Sequence, residues 1–454
     1  MLTILGFVFT LIFNVVFPFL IGFFLGYFPG ILICFPIGWA VGKMFKPTSG
    51  SISTSPAVSP APAPRINAIP RVAKPPRRPL VTPTPQNAAG SAGSSIWNTV
   101  TAAASRSQNW YTQTQSSSAS ASNSIRTVYD LAGNPLQLGS KDEKANGGEG
   151  IVYTMPLNSG VMIKLYKAST LQDAAKMREI KTRVEAMTKL SACTGLKHLA
   201  WPRLPVADDR KQMIGFAMRA CGGESFRSIG TIANIKKVFP KWTRLQLAET
   251  AVDFVVKVRE LAANGVIIND FNPSNFLVDR NCNVSMIDCD SYQIPDKKGN
   301  PLITHTFFAS HVAPELMKNK HLMDSPRSIR HVEFGAAVVV FGLLMCGLHP
   351  YSFYDPSNRK KIGTPEENLL KGYCPFAPGS KLKFPKAPND EWSNLWSWLP
   401  DSIRDAFVAT FCDGHSDPNR RASLDQLEAA LRDTVQFMKQ EKHARELLPK
   451  IRRP

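Results

Sequence analysis

The first 41 residues, Met1 to Val41, carry no charged side chain and only occasional polar ones. A run this apolar is unsuited to the surface of a water-soluble fold, so it divides the chain before anything else is considered. As one helix rising ~1.5 Å per residue it would reach ~60 Å, about twice the ~30 Å hydrocarbon thickness of a bilayer. Two short spans turning near Gly26-Tyr27-Phe28-Pro29-Gly30 fit better than one tilted span. Lys43 and Lys46 follow at once, and the bias of such residues toward the cytoplasmic side places the remainder of the chain inside the cell. A secretory signal is the competing reading, but it needs a basic start and only roughly 7–15 apolar residues. The expectation is a transmembrane helical hairpin over 1–44, with the lipid bilayer as partner.

Residues 45–129 read as a tether. Eleven prolines lie between Pro47 and Pro85, and a Ser/Thr/Ala-rich stretch follows. No apolar period of 3.6 or 2 persists, so burial cannot repay the entropy of ordering. Lys74-Pro-Pro-Arg-Arg-Pro79 contains a basic PxxP that a proline-recognising partner could take, although an extended basic spacer explains it equally. Residues 1–129 hold nine Lys or Arg and no Asp or Glu, almost half of the formal charge of +19. Charge on such a segment is weak support for nucleic-acid binding. The basic residues elsewhere, Lys236, Lys237, Lys241, Arg244 and the tail 439–454, lack interleaved aromatics, so a nucleic-acid partner is not expected. The eight cysteines show no CxxC or Cys/His ligand spacing, which argues against a disulfide framework or structural zinc.

From about Leu136 the composition changes. Period-two alternation at 150–155, 160–166 and 213–218 predicts strands of a small sheet, with a helix over 171–190 between the second and third. Helices are expected at 242–264, 333–346, 401–410 and 424–438, the last behind a cap at Ser423. A strand-rich first lobe is thus followed by a helix-rich second, an α+β arrangement whose boundary suits a nucleotide.

Candidate site residues follow one another along this domain: Gly147, Gly148 and Gly150, then Lys164, then Asp270 and Asn275, then Asp288. Glycines allow backbone to approach a phosphate. An amine inside an alternating apolar strand needs an anion to offset its burial. Asp and Asn alone would be turn formers. The catalytic stretch Ile268-Asn-Asp-Phe-Asn-Pro-Ser-Asn-Phe-Leu-Val278 and the stretch Ile287-Asp-Cys-Asp-Ser-Tyr-Gln293 together resemble a protein-kinase domain over about 138–431. They are most similar to divergent bacterial kinase-like proteins with GDxNxxNxLV and IDxDSxQ motifs.

That resemblance implies a two-lobed protein-kinase-like fold at 130–438, with an N-lobe at about 136–220 and a C-lobe at about 221–438. It implies ATP and Mg2+ as cofactors and a protein substrate. Asp270 would accept the hydroxyl proton, and Asn275 and Asp288 would hold magnesium. Lys164 would hold the phosphates, with a carboxylate from the following helix, Glu185 or the less favoured Glu179, as its partner. Gly147, Gly148, Gly150, Val152, Lys164 and Met218 would line the nucleotide. Ala313-Pro-Glu315 matches the end of an activation segment, with Arg420 placed to pair with Glu315. That extended segment speaks against a small-molecule kinase of the aminoglycoside type.

Several positions depart from the pattern. Ala145 stands for the first glycine, Ile268 and Asn269 for His-Arg, Asn272 for a lysine, Cys289 and Asp290 for Phe-Gly, and Val332 for an aspartate beside Glu333. Loss of the arginine removes the usual receptor for an activating phosphate. Asp290 has two readings, a further metal ligand or a turn former. The resulting expectation is a Ser/Thr protein kinase anchored in a bacterial inner membrane with its kinase-like domain in the cytoplasm. An inactive, nucleotide-binding pseudokinase scaffold is the alternative.

Overall fold

The computed structural model describes residues 126–450 apart from 157, 354–362, 379 and 381–390. Alternating apolar residues build an antiparallel sheet from β1 (Arg126–Tyr129), β2 (Pro135–Leu138), β3 (Glu143–Asn146), β4 (Gly150–Met155), β5 (Asn158–Tyr166), β6 (Pro202–Ala207) and β7 (Met213–Arg219). Their order is β2-β1-β6-β7-β5-β4-β3. The three strands expected from alternation correspond to β4, β5 and β7. The other four carry little signal: β3 is exposed at every residue, and β6 contains Pro202 and Pro205. The sheet begins at Arg126, inside the stretch read as tether.

The period of two gives the sheet distinct faces. Val161, Ile163 and Leu165 of β5 join Val128, Leu138, Leu204 and Ala217 on one side. Met162 and Tyr166 point the other way, into a cluster with Phe216 and Met218 of β7 and with Ile180 and Val184 of helix α1 (Ala174–Lys189). Lys164 lies between Met162 and Tyr166 in the same alternation. Helix α1 starts where the Asp173 carboxylate accepts from the backbone N–H groups of Ala175 and Lys176.

The second lobe holds α2 (Arg244–Ala263), α3 (Ile329–Leu344), α4 (Asp401–Val408) and α5 (Leu424–Gln440). A small sheet of β8 (Glu224–Ser225), β9 (Phe276–Val278) and β10 (Val284–Met286) joins them. Reciprocal capping pairs open α2 (Thr243 with Gln246) and α5 (Ser423 with Gln426). Helix α3 is buried at every residue from Val332 to Phe341, as its apolar composition dictates. The core is aromatic, with Phe254, Phe276, Phe334, Phe341, Phe407 and Phe411 in one cluster.

Two assignments of basic residues change. Arg244, counted with the basic surface, is wholly buried, and its guanidinium donates to the carbonyls of Leu395 (3.0 Å), Ala444 (3.1 Å) and Leu344 (3.4 Å). The basic tail begins inside the fold: α5 continues to Gln440, and Ala444 and Leu447 are buried.

The membrane reading is corrected as well. Among the described residues no helix is long and apolar enough to cross a membrane, and the hairpin expected over 1–44 lies outside those residues, as does the PxxP of the tether. The described residues form an α+β arrangement of sheet and helical lobe. Membrane anchoring, a bilayer partner and an inner-membrane location have no support in the described structure.

Candidate active site

The glycine segment links β3 to β4 as a tight turn in which the Gly147 N–H donates to the Gly150 carbonyl at 2.9 Å. Gly150 pairs with Tyr166 across the sheet, and a Cβ there would meet the Leu165 carbonyl oxygen at 2.8 Å, so only glycine fits. Gly147 and Gly148 are exposed. Glu149, between the glycines, reaches the Lys176 ammonium of α1 at 2.7 Å. Ala145 pairs with Val152, a register that keeps β3 on the sheet edge.

Lys164 is buried, and its ammonium lies 2.5 Å from Asp288 Oδ1 and 2.8 and 3.0 Å from the two carboxylate oxygens of Asp290. The Tyr166 hydroxyl donates to Asp290 Oδ2 at 3.2 Å, and Arg183 Nε of α1 donates to the Asp290 carbonyl at 2.9 Å. Burial works against the charged amine, but Asp290 and Asp288 more than reverse it and raise its pKa. The two acids part in opposite directions. Burial raises Asp288 above the ordinary carboxylate range despite Lys164. Burial would raise Asp290 too, yet Lys164, Arg183 and Tyr166 bring it below that range.

The expected Lys164–Glu185 pair is not formed. At ~100° per residue, Glu185 lies ~140° around α1 from Ile180, which marks the buried face, and Glu179 is exposed. Arg183, three residues from Ile180 and four from Met187, takes the edge of that face. The spacing of Ile180, Val184 and Met187 along α1 is the sequence signal that puts Arg183, and not Glu185, at that edge.

The segment from Ile267 to Val278 is held from several sides. Ile267 and Gln293 exchange backbone hydrogen bonds at 2.9 Å, and the Gln293 side chain clamps the backbone of Arg327. Asn269 Nδ2 donates to Thr304 Oγ1 at 2.5 Å, and that hydroxyl donates to the Ser291 carbonyl at 2.6 Å. At Asn269, where the kinase pattern has an arginine, a neutral buried bridge thus joins this segment to the residues after the Asp288 turn. Asn272 accepts from Ser274 N–H at 3.0 Å, and its side chain serves the turn. Val332 is buried in α3, and Glu333 turns to Arg330 at 2.9 Å, so neither ties this segment. Instead the Phe271 ring lies on Gly335 of α3, where a Cβ would come within 2.3 Å of the ring.

Asn275 Nδ2 donates to Asp270 Oδ2 at 3.0 Å, and the Asn275 carbonyl accepts from Ile287 N–H at 2.9 Å, which sets Asp270, Asn275 and Asp288 side by side. Asp270 Oδ1 is buried without a hydrogen-bond partner. Burial, with the neighbouring Asp288 carboxylate adding to it, pushes Asp270 up to about 6. Asp288 itself has left-handed backbone, φ 57°, uncommon for a residue with a Cβ and frequent at functional sites. No group of three or more His, Cys, Asp or Glu suited to a metal occurs among the described residues. One or two carboxylates with a phosphate suffice for magnesium, however. Asn275 donates to Asp270 through its amide nitrogen, which leaves the amide oxygen, with the Asp288 carboxylate, as donors of the hard kind magnesium takes. Val152 and Met218 belong to the apolar cluster that also includes Ile287.

The arginine that pairs with Glu315 is shifted by one residue from the expectation. Arg421, fully buried, makes both hydrogen bonds to Glu315, at 2.6 and 2.8 Å, while Arg420 reaches Asp413 at the surface. Arg420 ends the short 3-10 turn Pro418–Arg420 and points outward.

No protein-family profile matches the chain. It is similar to the protein kinase YegI of Escherichia coli O157:H7, at 27% identity over 228 residues, and to that of Escherichia coli K12, at 27% over 227 residues. Each match takes in 50% of this chain and 34% of the relative, so the chain spans about a third of the length of the curated relatives it matches. This distant similarity supports placing the chain in a kinase-like superfamily.

Proposed function

We propose that the domain is an ATP- and magnesium-dependent protein kinase that transfers a phosphoryl group to a Ser or Thr hydroxyl of a protein. One observation carries the reading. Lys164 and Asp288, 124 residues apart, meet at 2.5 Å beside an Asp270 whose free oxygen is buried and unpartnered. Asp270 would accept the hydroxyl proton through that oxygen, with Asn275 fixing the carboxylate by its other oxygen. Asn275 and Asp288 would hold magnesium, and Lys164 the nucleotide phosphates. ATP with its metal supplies the phosphoryl group and offsets its charge. The protein's own part is positioning and electrostatic compensation. Glu315, clamped by Arg421, supports a segment on which a protein substrate could lie.

The test is magnesium-dependent transfer of labelled phosphate from ATP by the full chain, to itself or to added casein, beside Asp270→Asn and Asp288→Ala. Loss of about 100-fold or more in both variants is expected. If the unaltered protein transfers nothing while ATP with magnesium raises its melting temperature, a nucleotide-binding scaffold replaces the enzyme. If millimolar nucleotide leaves the melting temperature unchanged, the nucleotide reading itself falls.

A further inference from the structure

We infer that Asp290, in place of a carboxylate on helix α1, is the residue that positions Lys164 for the nucleotide phosphates. This rests on the kinase reading above and names a role in it that the sequence pattern leaves unassigned. Two carboxylates touch the Lys164 ammonium, but they are not equivalent. The Asp288 side chain is 39% exposed and that of Asp290 only 5%. An acid that must give its oxygens to an incoming cation has to face the cleft. An acid that must keep an amine in place is better enclosed. Every oxygen of Asp290 is engaged: Oδ1 by Lys164, Oδ2 by Lys164 and Tyr166, and the backbone carbonyl by Arg183.

Were Asp288 to hold magnesium, Lys164 would still be buried and would need a counter-charge that stays with it. Helix α1 offers none at that position, since Arg183 sits at the edge of its buried face and carries the same charge as the lysine. The short 3-10 turn Cys289–Ser291, entered from the left-handed Asp288, brings both carboxylates of the Asp-x-Asp sequence to one side of the amine. The lysine is therefore oriented by the metal-binding turn itself. Swinging α1 outward would break the Arg183 contact while leaving the Lys164–Asp290 pair whole.

The experiment measures affinity for ATP with magnesium and for adenosine in the full chain, by titration calorimetry, for the wild type and for Asp290→Asn, Glu185→Gln, Lys164→Met and Lys164→Met/Asp290→Asn. Adenosine lacks the phosphates that Lys164 would hold, so it reports a merely structural loss. Asp290→Asn is expected to weaken ATP binding about tenfold or more, the scale of a charged hydrogen bond, and to leave adenosine within about twofold. Glu185→Gln should leave both within about twofold. The double variant should bind ATP no worse than Lys164→Met, because the effect of Asp290 passes through the lysine.

Wild-type ATP affinity in Asp290→Asn, equal loss of ATP and adenosine, or an ATP-specific loss in Glu185→Gln would each overturn the proposal. Should Asp290→Asn fail to fold, Glu185→Gln decides: an intact difference between ATP and adenosine supports the proposal, and its loss overturns it. A wild type that binds no ATP removes the nucleotide reading, and the proposal with it.

Discussion

The shift from Arg420 to Arg421 as partner of Glu315 is the plainest residue-scale lesson. One residue of register separates a buried clamp from a surface pair. Arg421→Ala leaves Glu315 facing a vacated guanidinium site and should cost about 3 kcal/mol in urea unfolding, while Arg420→Ala should change stability by less than about 0.5 kcal/mol. The pH dependence follows from the same pair. Burial alone would raise Glu315, but His331 and Arg421 hold it down at about 2, well below its ordinary value. A depressed carboxylate contributes stability that is present above the unfolded-state value near 4.5 and is lost as pH falls through about 2. Glu315→Gln should therefore be less stable than wild type at neutral pH, and the gap should close between about pH 4.5 and pH 2. A gap unchanged across that window would show that the clamp does not depend on the charge.

At the scale of elements, helix α3 and the segment that carries Asp270 are joined by packing of Phe271 on Gly335. The Phe271 ring lies where a side chain at Gly335 would be. Gly335→Ala should displace that ring, cost about 1–3 kcal/mol by overpacking, and lower kcat more than it alters ATP affinity, because Phe271 adjoins Asp270 and not the glycine turn. Equal wild-type kcat would mean that the ring is only core. The elements were unevenly legible. Apolar spacing marked α1, α2, α4 and α5 to within a few residues, with a cap at Ser423 for the last, and alternation marked β4, β5 and β7. Strands β3 and β6 gave no such signal, since an exposed edge and a proline-bearing strand owe their conformation to the neighbours they pair with.

At the scale of the whole molecule, Arg244 ties segments far apart in sequence. Its guanidinium serves carbonyls at 344, 395 and 444, drawing the ends of α3 and of Glu391–Ser397 and the turn after α5 onto the start of α2. No local sequence pattern distinguishes it from the solvated lysines and arginines near it. Arg244→Met would leave these acceptors buried and unpaired, at a cost of about 4 kcal/mol in the unfolding of the lobe. Unfolding at the wild-type denaturant concentration would refute that role.

The motifs around Lys164, Asp270, Asn275 and Asp288 were legible as a resemblance to the protein-kinase pattern, because the types of side chain that phosphoryl transfer requires are few and that pattern meets them in a set order. Which carboxylate faces the lysine, which arginine closes on Glu315 and which charge is buried at 244 were decided only by the tertiary structure. Each is a choice between residues alike in chemistry. Burial and direction, which separate them, arise from elements that meet across a hundred residues or more.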